Sequence, residues 1–121
     1  MHVGLAFDHQ TDPQDERQAE FDPPATVDAL QRALEAQGHH VSRLGSHTAF
    51  LSGPGCFCDV DLVFNIAEGQ GSRNREAWVP TLLDLYNIPY VGSDPLALTL
   101  GLDKSMAKSH ALILLRNKIF G

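Results

Sequence analysis

Residues 61–108, DLVFNIAEGQGSRNREAWVPTLLDLYNIPYVGSDPLALTLGLDKSMAK, decide the fold. An apolar run at its start predicts a buried strand over 60–66. After a Gly-rich loop, apolar residues recur at helical spacing over 77–86, with Pro80 in the first turn, where a missing N–H costs least. A short strand over 89–91 follows. Strand, helix and strand in this order predict a right-handed crossover within a parallel sheet. The apolar face of the helix is expected to use Val79, Leu82, Leu83 and Tyr86.

The first half of the chain repeats the alternation of strand and helix. An apolar run over 2–7 predicts a buried strand, and the acidic stretch 8–21 predicts a surface loop. Pro23-Pro24 opens a helix that Gly38 ends, and residues 40–44 form a second strand. Residues 45–59 show no dominant period, so we expect a loop there with one helical turn.

The last third is expected to be helical. Asp94 can cap a helix with Pro95 at its first position, Gly101 interrupts it, and another helix is predicted from Asp103 through Leu115. The whole chain therefore predicts one α/β domain over 1–121. We expect a Rossmann-like three-layer sandwich around a four-stranded parallel sheet with strand order 2-1-3-4.

Composition narrows the classes of function. The chain has 121 residues, 43% hydrophobic and 20% charged, which is typical of a soluble globular domain. A formal charge of −6, with nine Lys and Arg among fifteen acids, argues against a nucleic-acid partner. No apolar run is long enough to span a membrane, and no signal peptide is evident. The expected location is the cytoplasm.

The cysteines and histidines do not form a recognisable metal site. Cys56 and Cys58 are one residue apart, and no second pair of ligands stands at the spacing that zinc sites use. We expect both cysteines to act as small hydrophobic residues and the chain to hold no metal of its own. His39 and His40 follow a helix end, where a structural role suffices.

Short motifs follow one another along the second half of the chain: Val63-Phe64-Asn65, Gly69, Gly71, Ile88-Pro89-Tyr90, Gly92-Ser93, Asp103-Lys104 and Lys108. Their order resembles the N-terminal, pre-ATP-grasp domain of D-alanine–D-alanine ligases and ligase-like members of the ATP-grasp superfamily. The resemblance covers nearly the whole chain, although the chain matches only about the first third of such an enzyme.

The resemblance implies an activity that requires further domains. Ligases of this type use ATP and Mg²⁺ to phosphorylate the carboxylate of one amino acid, and the amine of a second then attacks the acyl phosphate. The central and C-terminal ATP-grasp domains, which are absent from this sequence, carry the metal ligands and most of the nucleotide site. We therefore expect no catalytic residue in this chain and no ligation by the chain alone. The resembled ligases commonly dimerise through this domain, so a homodimer is a further expectation.

Glu20 is the first candidate binding residue. In the resembled ligases a glutamate just before the first helix binds the amino group of the first amino acid, and Glu20 stands in that place. A carboxylate near a helix N-terminus is held ionised and can pair with an ammonium. The alternative is a solvated loop acid among its acidic neighbours.

The Gly-rich loop supplies the remaining substrate-binding candidates, Glu68, Gly69 and Gly71. Backbone N–H groups before a helix, together with Arg73 and Arg75, could also bind an anion such as a carboxylate or phosphate. The alternative is that the glycines only form a tight turn. The ligases proper usually carry a histidine before the first glycine. Glu68 in that place indicates a ligase-like branch and leaves the substrate open.

Lys104 is the candidate nucleotide-binding residue, because the lysine of the Asp-Lys segment reaches toward the nucleotide phosphates in the resembled enzymes. Lys108 lies one turn further on, where it could share a face with Lys104, and Asp103 is expected to be a helix cap. The alternative for Lys104 is an exposed surface lysine. For the whole chain, the alternative function is a stand-alone module that binds a small anion or a protein partner.

The apolar end of the last helix leaves two alternatives open. Its residues either cover the sheet or form an exposed patch that favours self-association. The residues in question are Ile113, Leu114, Ile119 and Phe120.

Overall fold

The computed structural model describes residues 1–52, 59–102 and 104–120. Within these ranges the side chains of 99, 101, 102, 104–107, 109, 110, 119 and 120 are not described. The predictions for Cys56, Cys58 and Asp103, and those for the side chains of Lys104, Ile119 and Phe120, therefore lie outside the described residues.

Strands and helices alternate through the first two thirds of the chain. The strands are β1 (His2–Ala6), β2 (His40–Gly45), β3 (Leu62–Asn65) and β4 (Tyr90–Val91). The helices are α1 (Pro24–Ala36), α2 (His47–Leu51), α3 (Trp78–Leu85), α4 (Pro95–Leu102) and α5 (Lys104–Phe120), and 3₁₀ helices cover Glu16–Gln18 and Arg75–Ala77. The helical turn expected within 45–59 is α2.

The four strands form one sheet in the order β2-β1-β3-β4, and every pairing is parallel. The predicted order is thus confirmed. Parallel neighbours need a crossover between them, and α1 and α3 supply the crossovers around β1–β2 and β3–β4. Because all strands point the same way, the loops that follow them gather at one edge of the sheet.

Two apolar clusters cover the two faces of the sheet. On the first face, Leu5, Phe7 and Val41 pack with Val27 of α1. On the second, residues of the sheet pack with Phe50 of α2 and with Val79 and Leu83 of α3; these sheet residues are Ala6, Leu44 and Val63. A sheet buried on both sides explains why its strands read as continuous apolar runs. The α/β Rossmann-like layout is confirmed.

The acidic loop after β1 leaves and rejoins the body of the domain at one point. His9 and Asp22 form a parallel bridge. The Asp22 N–H donates to the Asp8 carbonyl oxygen at 3.1 Å, and the Gln10 N–H donates to the Asp22 carbonyl oxygen at 3.1 Å. Residues 9–22 therefore form a closed excursion whose two ends are held together by the main chain.

Two details of the helices differ from the prediction. Tyr86, expected on the apolar face of α3, is 48% exposed and lies just past the end of the helix. The last helix continues to Phe120 instead of ending at Leu115. Arg116, Asn117 and Lys118 contain no helix breaker, so a drop in hydrophobicity does not end the helix.

The apolar end of α5 does not cover the sheet over the part that is described. Leu112, Ile113, Leu114 and Leu115 are each more than half exposed. For Ile113 and Leu114 the exposed alternative is therefore the observed one. Among the described residues, no helix is long and apolar enough to cross a membrane.

Candidate functional site

Loops that follow β1, β3 and β4 line two neighbouring cavities at the carboxyl edge of the sheet, where open parallel sheets bind ligands. The larger cavity, about 630 Å³, lies between the loop after β1 and the Gly-rich loop after β3. The smaller, about 140 Å³, lies beyond β3 and β4. Glu20, Gly69 and Gly71 line the larger cavity, and Glu68 lines the smaller one.

Three glutamates bring a carboxylate oxygen each to one place. Oxygens of Glu20, Glu68 and Glu76 all lie within 4.8 Å of one another. We call these three residues the carboxylate cluster. Glu20 belongs to the loop after β1, whereas Glu68 and Glu76 stand at the two ends of the Gly-rich segment after β3. The fold therefore joins two of the predicted residues, Glu20 and Glu68, and adds Glu76.

Burial and neighbouring carboxylates change the protonation of Glu68. The pKa of Glu68 is raised from 4.5 to about 7, chiefly by burial and next by a hydrogen bond with Glu76. The negative charges of Glu76, Glu20 and Asp22 act in the same direction, because each disfavours a further carboxylate nearby. Near pH 7 the Glu68 carboxyl group is therefore partly protonated, and perturbed pKa values of this kind are common at functional sites.

Arg75 supplies positive charge to the same cluster. Its guanidinium donates to Glu20 Oε2 at 2.9 Å and to the Ser72 carbonyl oxygen at 3.4 Å. The hydrogen bond to Glu20 is the main reason that the pKa of Arg75 is raised. Arg75 is thus engaged by a carboxylate, and the anion site predicted from Arg73 and Arg75 stays a prediction.

The two glycines of the loop have different structural requirements. Gly69 and Gly71 both have positive φ, at 70° and 82°, where side chains with a Cβ are strained. A Cβ at Gly69 would also lie 2.6 Å from the Arg75 carbonyl oxygen, whereas a Cβ at Gly71 would meet nothing within 4 Å. Gly69 therefore permits the close approach of Arg75 to the cluster. Both glycines form a turn and also line the larger cavity, so the two alternatives for this loop do not exclude each other.

Two residues of the site were not among the candidates from the sequence. Glu76 stands just before α3, and Asp8 follows β1 after Phe7. Asp8 is 5% exposed, and its carboxylate accepts hydrogen bonds from the N–H groups of Glu68 and Gly69. An acid directly after a buried strand, at the edge where ligands bind, was the available signal for Asp8. No comparable signal marked Glu76, because only the fold brings it back beside Glu68.

A third cavity has a different chemistry. It measures about 360 Å³ and lies between α2 and α3, with the rings of His47 and Trp78 4.6 Å apart. Leu51, Thr81 and Leu82 complete its described wall. It contains none of the residues predicted to bind substrate.

Parts of this chain are similar in sequence to known proteins. Over 79 residues, or 65% of its length, the chain is 38% identical to "D-alanine--D-alanine ligase" from Halalkalibacterium halodurans. This chain is similar to a D-alanine–D-alanine ligase. It is also 32% identical over 90 residues, 69% of its length, to "Uncharacterized protein y4sG" from Sinorhizobium fredii. The chain spans about a quarter of each of these proteins, 25% and 27%. No protein-family model matches it.

The carboxylate cluster is suited to a cation that donates hydrogen bonds. Oxygens bonded at about 2.8 Å to one ammonium nitrogen in tetrahedral directions are about 4.6 Å apart. The three carboxylate oxygens lie within 4.8 Å of one another, so they are close enough for a single cation to contact all three residues. Glu20 is paired with Arg75 and Glu68 is half protonated near pH 7, so any cation bound here, an ammonium group or Mg²⁺, must compete with Arg75 for Glu20 and displace the proton of Glu68. The predicted contact of Lys104 with a nucleotide lies outside the described side chains.

Proposed function

We propose that this chain is the substrate-binding domain of an ATP-dependent carboxylate–amine ligase that joins two amino acids through an acyl phosphate. In this proposal Glu20, Glu68 and Glu76 receive the ammonium group of an amino-acid substrate. Further ATP-grasp domains supply Mg²⁺-ATP and the catalytic residues. The chain's own contribution is to select and orient the substrate.

The observation that carries the proposal is the carboxylate cluster at the carboxyl edge of a parallel sheet. Its oxygens come from two separate loops and meet between two cavities large enough for an amino acid. The partial similarity to a D-alanine–D-alanine ligase supports the same reading. A carboxylate that only capped α1 would give another explanation for Glu20. However, α1 has no side-chain cap, and Glu20 bonds to Arg75 instead.

The test is a ligand titration followed by backbone amide NMR signals of the chain. D-alanine and L-alanine are each added up to tens of millimolar, alongside propionate, which lacks the ammonium, and ethylamine, which lacks the carboxylate. We expect alanine of one or both configurations, and ethylamine more weakly, to shift the signals of Glu20, Glu68 and Glu76. Dissociation constants in the millimolar range are expected for so small a ligand.

Matched variants locate the effect. Glu20→Gln should weaken alanine binding, whereas Glu16→Gln, in the wall of the same cavity but outside the cluster, should not. Binding should also strengthen several-fold from pH 6 to pH 8, because an ammonium favours ionised Glu68 and the pKa of Glu68 is about 7. Equal shifts with propionate, or none with any amine, would refute the proposal. Shifts with propionate or inorganic phosphate alone would favour the anion-binding module.

A further inference from the structure

Asp8 places a buried carboxylate underneath the Gly-rich loop. One of its oxygens, Oδ2, accepts both the Glu68 N–H, at 2.5 Å, and the Gly69 N–H, at 2.8 Å. The residue is 5% exposed and follows the end of β1 after Phe7. These two bonds tie the loop after β3 to the neighbouring strand of the sheet.

A charge in this position is costly for the fold by itself. Burying a carboxylate is unfavourable unless hydrogen bonds replace its water. Asp22 lies close enough that the charge of Asp8 contributes, after burial, to raising the pKa of Asp22. A sequence selected only for stability has cheaper ways to hold a loop, and such local conflicts concentrate at functional sites. The unfavourable burial of the Asp8 carboxylate therefore points to a role for the two N–H groups that it holds, those of Glu68 and Gly69.

The held groups lead directly into the carboxylate cluster. The first donor is the backbone of Glu68, so the point from which the Glu68 side chain starts is fixed. The second donor is Gly69, whose α-carbon packs against Arg75, the partner of Glu20. Loss of the bonds from Asp8 would therefore release both halves of the cluster at once.

We propose that Asp8 is a positioning residue, which holds the Glu68–Gly69 backbone so that the Glu68 carboxyl group stays beside Glu20 and Glu76. This inference rests on the proposed function for its consequence, the binding of an amino acid. In this proposal Asp8 itself does not contact the substrate.

The experiment compares Asp8→Ala, Asp8→Asn and Asp22→Asn with the unchanged chain. NMR follows the amide protons of Glu68 and Gly69, the titration of the Glu68 side-chain carboxyl, and alanine binding. Asp8→Ala should shift both amide protons, bring the titration midpoint of Glu68 down from about 7 toward 4.5, and weaken alanine binding about tenfold. Asp8→Asn keeps an acceptor oxygen without the charge, so it should shift the amide protons less and retain most of the binding.

Asp22→Asn is the control for charge. It removes a nearby carboxylate that also raises the pKa of Glu68, but it leaves both bonds from Asp8 in place. It should lower the Glu68 midpoint slightly without moving the two amide protons. If Asp8→Ala does not fold, Asp8→Asn decides, because unchanged Glu68 and Gly69 amide protons in that variant would overturn the inference.

The results separate this inference from the proposed function. Folded Asp8→Ala with unchanged amide protons, Glu68 midpoint and alanine affinity would overturn the role of Asp8 and leave the function standing. If the unchanged chain binds no amino acid but Asp8→Ala still moves the Glu68 midpoint, positioning is supported and the proposed function fails.

Discussion

Replacement of Glu68 by glutamine should stabilise the domain at alkaline pH and much less at acidic pH. In the folded chain the pKa of Glu68 is raised from 4.5 to about 7, chiefly by burial and then by Glu76. The folded state therefore holds a proton that the unfolded state releases between these pH values. The resulting stability is fully present below pH 4.5 and is lost as the pH rises through 7. Glutamine keeps a neutral group at all pH values and avoids this loss.

The size of the effect follows from the pKa. At 1.36 kcal/mol for each pH unit, the difference between 4.5 and about 7 corresponds to at most about 3.4 kcal/mol. Glu68 is only partly buried, and solvent screens its neighbours, so we expect about 1–2 kcal/mol. That is a large share of the stability of a small domain.

Urea unfolding at pH 5 and pH 8, followed by circular dichroism, measures the effect. The quantity compared is the difference in unfolding free energy between Glu68→Gln and the unchanged chain, because other titrating groups largely cancel in it. Glu35→Gln, on the exposed surface of α1, is the matched control for replacing a glutamate by glutamine outside the carboxylate cluster. A Glu68→Gln difference that is the same at both pH values would refute the reasoning, as would one that favours the glutamine more at pH 5.

Three further predictions concern the loops and helix ends. Gly69→Ala should lower the unfolding free energy by about 2–4 kcal/mol, since strain at positive φ adds to the clash with the Arg75 carbonyl oxygen. Gly71→Ala should lower it by only about 1 kcal/mol, and equal losses in urea unfolding would contradict the difference in packing. Glu20→Gln should change stability by less than about 1 kcal/mol, because its ion pair with Arg75 is exposed on the Glu20 side, and a larger loss would make Glu20 structural. Asp94→Ala should cost about 1 kcal/mol in the same assay, because the Asp94 carboxylate accepts the Ala97 N–H at 2.8 Å, and Asp94→Asn should retain most of that stability.

The sequence predicted the strands because strands of a buried parallel sheet carry a strong local signal, whereas the order 2-1-3-4 was an expectation taken from the Rossmann-like layout and not from any local pattern. Strands buried on both faces read as apolar runs, and prolines and glycines mark where the helices begin and end. Helix ends were less predictable. Tyr86 stands at the spacing of the apolar face of α3 but lies just past the end of that helix. The polar residues after Leu115 contain no residue that would end a helix, and α5 continues through them.

The candidate site was predictable only where residues stand next to a recognisable motif. Glu68, Gly69 and Gly71 belong to one loop, and Glu20 precedes a helix, so local order identified them. Whether each of these residues contacts a substrate stays a prediction.

From the sequence, Asp8 was interpreted only as the first residue of the acidic loop that follows the first strand. Its contact with Glu68 spans 60 residues of chain and follows from the pairing of β1 with β3. Periodicity and motif spacing describe neighbours along the chain. They do not give distances between loops that follow different strands.

The closed excursion over 9–22 forms part of the wall of the larger cavity, and its length can change without moving the sheet or α1. Its two ends are bonded to each other, so β1 and α1 keep their places whatever the number of residues between them. Closing a flexible loop of twice the length costs only about 0.6 kcal/mol more. Insertions or deletions near Pro13 could therefore reshape the larger cavity while Asp8, Glu68 and the sheet stay where they are. Under the proposed function, a change in the length of this loop alone would alter which substrate fits the cavity, while Asp8 stays in place.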